Sequence, residues 1–85
     1  MPTKILKALS DPTRLKIVEL LKRGEICACK FVPLTKKAQP TVSQHLKILE
    51  NAGIIKSRKE GKMIFYSIVD SKIFDLIEIA KKVKK

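Results

Sequence analysis

Along the chain the apolar positions change period several times, and each change marks an element. In "PTKILKALS" Ile5, Leu6 and Leu9 stand at helical spacing, which predicts a short amphipathic helix over 2–9. "SDPTRLKIVELLKRG" is the clearest helix of the sequence. Ser10 or Asp11 serves as its N-cap, Pro12 fits the first turn, Leu15, Ile17, Val18 and Leu21 face inward, and Gly24 stops it. "AQPTVSQHLKILENAG" repeats this punctuation, with Pro40 suited to a first turn and Gly53 to a C-terminal end, and predicts a helix over 40–52. Val42, Leu46 and Leu49 share one face of it, while Thr41, Gln44, Lys47 and Asn51 point to the other side.

After Gly53 the period falls from helical to alternating. "IIKSRKEGKMIFYSIV" reads as two strands within 54–68 around Glu60-Gly61-Lys62, with Gly61 carrying the turn and Lys56, Arg58, Lys59 and Lys62 near the tip. "SKIFDLIEIAKKVKK" predicts a last helix within 71–84, capped by Asp70 or Ser71. Its stripe of Ile73, Leu76, Ile77, Ala80 and Val83 is wide enough to suggest a partner helix.

Helix, helix, short helix, polar-faced helix, basic hairpin and helix is the order of a winged helix-turn-helix. The predicted fold class is therefore mainly α with a small β-hairpin (α+β), in a single domain over 1–85. In that arrangement the second helix of the turn motif enters the major groove, and the wing supplies cations to phosphates. Thr41, Ser43 and Gln44 carry hydroxyls and an amide that can reach base edges, and Lys47 lies one turn further on for a base or a phosphate. A polar helix face is usually only solvated, so charge has to decide.

Lys and Arg number 19 against 8 Asp and Glu, a net charge of +11. Such an excess favours polyanions through counterion release, with double-stranded DNA as the leading partner and an anionic membrane surface as the second. The lysines are spread over every segment instead of lining one amphipathic helix, which disfavours the membrane. No apolar run approaches the ~20 residues that cross a bilayer, and Met1 is not followed by a long apolar signal core, so the expected place of work is the cytoplasm. One His, no acid/base pair and no Gly-rich phosphate loop disfavour an enzyme. At 85 residues the domain buries a modest share of its surface and can lean on a partner subunit.

Taken together, "LSDPTRLKIVELL", "EICACKF", "QPTVSQHLKILENAGII" and "RKEGKMIFYSI" resemble the ArsR/SmtB family of winged-helix repressors, in order and at similar spacing, from about Lys7 to Ile68. The resemblance implies a homodimer that sits on operator DNA and leaves it when an inducer binds. It implies that Ile5, Leu9, Ile73, Ile77 and Ala80, on the first and last helices, pair across a two-fold axis. Carried over residue by residue, it puts DNA contact on Thr41, Ser43, Gln44, His45 and Lys47, with Arg58, Lys59 and Lys62 in the wing. His45 by itself reads as a packed residue or a phosphate donor before a metal ligand, since no second His exists.

"EICACKF" resembles the metalloid-binding box of that family, in which a Cys-x-Cys pair precedes the recognition helix. This makes Cys27 and Cys29 candidate ligands for an inducing soft ion such as As(III), Sb(III), Cd(II) or Cu(I), with no cofactor required for folding. Residues two apart on a helix point about 200° apart, so the pair can share an ion only where the backbone is not helical. Pro33 favours that, because it disfavours helix at Val32. Val32 stands where three-thiolate members carry a third cysteine, so a third ligand would come from the other subunit, a small thiol or water. Two alternatives stay open: an oxidation switch, with Lys30 lowering a thiol pKa, and inert cysteines filling space in a constitutive DNA-binding protein. The family's other ion site, on the last helix, uses His with carboxylates; Asp70, Asp75 and Glu78 are present without a His, and no zinc site is expected there.

Overall fold

The computed structural model describes residues 3–83. Pro2, Lys84 and the side chain of Val83, which the sequence assigns to the terminal helices, lie outside the described residues. Helix α1 (Thr3–Leu9) is followed closely by α2 (Pro12–Leu20). Of the two candidate caps, Asp11 is the one used: its backbone is extended and its carboxylate accepts the N–H of Arg14 at 3.0 Å. One of the helix's four orphan donors is thereby satisfied, and Pro12 has no N–H to orphan. The helix tightens into a 3-10 turn over Leu21–Arg23 and stops at Gly24, whose φ of 134° suits glycine alone.

A two-residue strand β1 (Ile26–Cys27) and a 3-10 turn (Ala28–Lys30) lead into α3 (Phe31–Thr35). Val32 is helical although a proline follows it. Pro33 is only the third residue of α3, within the first turn, where its missing N–H breaks no helical bond. Helix α4 (Gln39–Asn51) carries Pro40 in its first turn and ends before Gly53, at φ 79°.

Strands β2 (Ile55–Glu60) and β3 (Met63–Ile68) form a hairpin joined at Gly61-Lys62, and α5 (Lys72–Val83) follows after Asp70 accepts the Lys72 N–H at 2.9 Å. The hairpin is larger than the sequence pattern indicates. β1 adds to its far edge, giving a three-stranded antiparallel sheet in the order β1-β3-β2. Ile26 pairs with Tyr66 and Cys27 with Phe65, while on the other side of β3 Arg58 also pairs with Phe65.

The core lies between the helices and one face of this sheet. Ile17, Val18, Phe31, Val42, Leu49 and Ile55 are fully buried, each worth about 1.5–3 kcal/mol relative to exposure. The Phe31 ring meets Tyr66 edge-on at 6.3 Å, which ties α3 to the sheet. Ile77 on α5 joins the same core at 5 % exposure, so that side chain is largely spent within its own chain.

Candidate functional site

Burial of Val42, Leu46 and Leu49 fixes the rotation of α4 and leaves Thr41, Ser43, Gln44 and Lys47 exposed together on its outer side. Gln39 steadies the start of this face by donating from Nε2 to the Ser43 hydroxyl at 3.1 Å. Ala38 at the N-cap offers no side-chain acceptor, so the first N–H groups of α4 remain available to an outside anion.

His45 is placed differently from these four. It is half-buried, with Nδ1 3.2 Å from an Arg14 terminal nitrogen and Nε2 4.0 Å from the Asp11 carboxylate. Arg14 in turn donates from Nε to the Ala8 carbonyl at 2.7 Å. The ring thus links α4 to the capped start of α2 and, through Arg14, to α1.

In the wing, Lys56, Lys59 and Lys62 are exposed, and among the described residues no carboxylate pairs with them. Arg58 is held. Its Nε and Nη2 donate to the two oxygens of Glu25 at 2.6 and 2.8 Å, Nη1 donates to Glu60 at 3.0 Å, and its guanidinium carbon stands 4.9 Å from the centre of the Phe65 ring. The hydrogen bond from Arg58 holds the Glu25 carboxyl below its ordinary range. Glu25 was not indicated by the sequence pattern; it lies 33 residues from Arg58, with no local signal to join them.

Cys27 closes β1 with an extended backbone (φ −66°, ψ 138°), and Cys29 sits in the 3-10 turn that follows. Between them the chain is not helical, and the two sulfurs approach to 2.8 Å. Cys27 is buried and Cys29 exposed. The Cys29 thiol is pushed above its ordinary range, first by its hydrogen bond with Cys27 and then by partial desolvation. Lys30 acts in the lowering sense expected of it and is outweighed.

The thiols open onto a cavity of about 250 Å³ that is also lined by Gln39 from the start of α4 and by Lys62, Met63 and Ile64 from the wing. Among the described residues no three His, Cys, Asp or Glu gather where they could hold an ion. Val32 is partly buried and packs against the core.

On the far side, α1 and α5 leave apolar surface. Ile5, Leu9 and Ile73 are half-buried and Ala80 is exposed. A groove of about 320 Å³ is lined by Leu6, Leu9, Leu15, Leu76, Ile77 and Ala80, and one of about 230 Å³ by Ile5, Ile54 and Ile73 among others. Among the described residues no helix is long and apolar enough to cross a membrane.

Residues 11–57 match the sequence profile of the arsR family of bacterial regulatory proteins. The chain is 51 % identical to an uncharacterized HTH-type transcriptional regulator of Methanocaldococcus jannaschii, over 89 % of its own length and 86 % of the relative's. It is 45 % identical to a homolog of the cadmium resistance regulatory protein CadC of Staphylococcus aureus, over 91 % of the chain and 64 % of that protein. It is 39 % identical to an arsenical resistance operon repressor of the same organism, over 87 % and 71 %. Its fold is similar to the homodimeric winged helix-turn-helix DNA-binding domain of a possible ArsR-family regulator from Mycobacterium bovis, with a TM-score of 0.84, 28 % identity and coverage of 94 % and 77 %.

Proposed function

Because the chain belongs to the arsR family of bacterial regulatory proteins, we propose that it is a repressor that holds operator DNA as a homodimer and releases it when a soft ion such as As(III) takes the thiols of Cys27 and Cys29. As a member of that family it is a DNA-binding transcriptional regulator and not an enzyme. In this reading Thr41, Ser43, Gln44 and Lys47 face the groove, while Lys59 and Lys62 neutralise phosphates. His45 acts by holding α4 on α2, and Arg58 reaches DNA only by leaving Glu25. Two copies meet through α1 and α5, where Leu9, Ile77 and Ala80 line one apolar groove and Ile5 and Ile73 another. Homodimer assembly in the related Mycobacterium bovis domain supports this arrangement.

The observation that carries the inducer is the 2.8 Å approach of the two sulfurs beside Gln39 and Lys62. An ion held by the pair would sit where the start of α4 and the wing face the same cavity. Release requires that the ion favour a conformation that fits DNA poorly over the DNA-fitting one, and each ~1.4 kcal/mol of such preference weakens operator binding tenfold.

Fluorescence anisotropy of the reduced protein on duplex from its own upstream region, with random duplex as control, tests the reading. Tight specific binding that As(III) abolishes in the wild type, and leaves intact in a Cys27→Ser/Cys29→Ser variant, is expected. Specific binding indifferent to As(III) and to other soft ions would remove the ion and leave an oxidant-driven or constitutive repressor.

A further inference from the structure

Two thiols per chain leave a three-coordinate soft ion short of a ligand, and the register of the sheet supplies a candidate. Cys27 pairs directly with Phe65, so their side chains leave the sheet on one face, and Met63, two residues before Phe65, leaves on that face too. β1 ends at Cys27, opposite Phe65, so β3 extends past it towards Met63, and Cys29 also lies beyond the end of β1. Cys27, Cys29 and Met63 line the same cavity. Met63 is 46 % exposed and belongs to no core cluster, so packing does not account for an unbranched thioether at this place in the wing.

The geometry points to Met63 as the third ligand of a two-thiolate, one-thioether site selective for a monovalent soft cation of the Cu(I) type. This rests on the reading of Cys27 and Cys29 as an ion site and adds both a residue and a preference to it. Thiolate and thioether together are the donor set of Cu(I). A thioether is neutral and has no proton to lose, so the thioether adds no charge to the two thiolates and the assembled site carries a net charge of −1. As(III), which forms its bonds to thiolates, gains little from the thioether. No electron is transferred: each bound ion releases the protons of the two thiols to the buffer and accepts a lone pair from Met63. Met63 follows Lys62 directly, so the ion joins the cysteine segment to the wing turn.

The test is competition for Cu(I) against a chromophoric chelator, without oxygen, together with sulfur counting by copper X-ray absorption. Wild type is expected to bind one Cu(I) per chain through three sulfurs. Met63→Leu should bind it at least tenfold more weakly, through two. Met63→Cys gives an independent gain: it should tighten As(III) binding at least tenfold by completing three thiolates. Equal Cu(I) affinity and equal sulfur number in wild type and Met63→Leu, or no gain for As(III) in Met63→Cys, overturns the role of Met63 and leaves the thiol site standing. Undiminished binding of both ions by Cys27→Ser/Cys29→Ser instead overturns the thiol site on which it rests.

Discussion

Arg58 on β2 grips both carboxylate oxygens of Glu25, the residue before β1, at 2.6 and 2.8 Å, spanning β3 as it does so. Beneath the pair lies Phe65, which is also the strand partner of Cys27. One row across the sheet therefore carries the candidate inducer thiol, an aromatic ring and a wing cation whose charge is already balanced. The row joins β1 to the wing through strand register and the Arg58–Phe65 contact.

Glu25→Gln removes the charge that holds Arg58 and leaves it with Glu60 alone. The freed guanidinium is expected to strengthen binding to any duplex and to steepen the dependence of log affinity on log salt by about one unit per protomer. Anisotropy titrations at several salt concentrations measure this; an unchanged slope would mean that Arg58 reaches no phosphate even when released.

Gln44→Ala tests the groove face. An amide that reads a base pair in bidentate fashion is worth about 1–3 kcal/mol of discrimination, so operator affinity should fall roughly five- to 150-fold while random duplex is bound as before. Equal losses on the two duplexes would move Gln44 away from the base edges.

Much of this architecture was legible because its signals are local. Asp11, Pro12 and Gly24 bracket α2 by capping and φ preference, and Gly61 sets the hairpin turn at the place where alternation reverses. β1 was not legible: two residues show no period, and Ile26 and Cys27 become a strand only by pairing with residues 40 and 38 positions later, at Tyr66 and Phe65. The thiol geometry depends on that pairing, so sequence yields only the condition that the backbone be non-helical. The same holds for Glu25 with Arg58 and for Met63 beside the cysteines, which strand register brings together. Ile77 shows a different limit. A wide apolar stripe on α5 does not say which of its members the chain's own core takes first.

Asp11 gives a prediction on stability and its pH dependence. Its carboxyl is held below its ordinary value of 3.8, chiefly by the Arg14 backbone N–H it caps. A folded value below the unfolded one means that the stabilisation is fully present above pH ~3.8 and is lost as pH falls through the folded value. Asp11→Ala should cost about 1 kcal/mol at neutral pH, or about 4–8 °C in Tm for a domain of this size. Asp11→Asn should retain most of the cap but lose the acid sensitivity, so thermal melts of Asp11→Asn and wild type should converge as pH drops below about 4. Parallel melting curves across that range would mean that the cap does not titrate with folding.

Lys59 and Lys62 differ from Arg58 in having no carboxylate partner among the described residues, so their charge is available to DNA without rearrangement. Replacing both by Ala should weaken operator and random duplex by the same factor, since phosphates carry no sequence. The salt slope should flatten by nearly one unit for each phosphate that is no longer neutralised. Stability should scarcely change, because both side chains are exposed and unpaired in the hairpin. A loss confined to the operator would place these lysines at bases, and an undiminished slope would take the wing tip off the DNA; only the uniform loss fits a wing that clamps the backbone while α4 reads the groove.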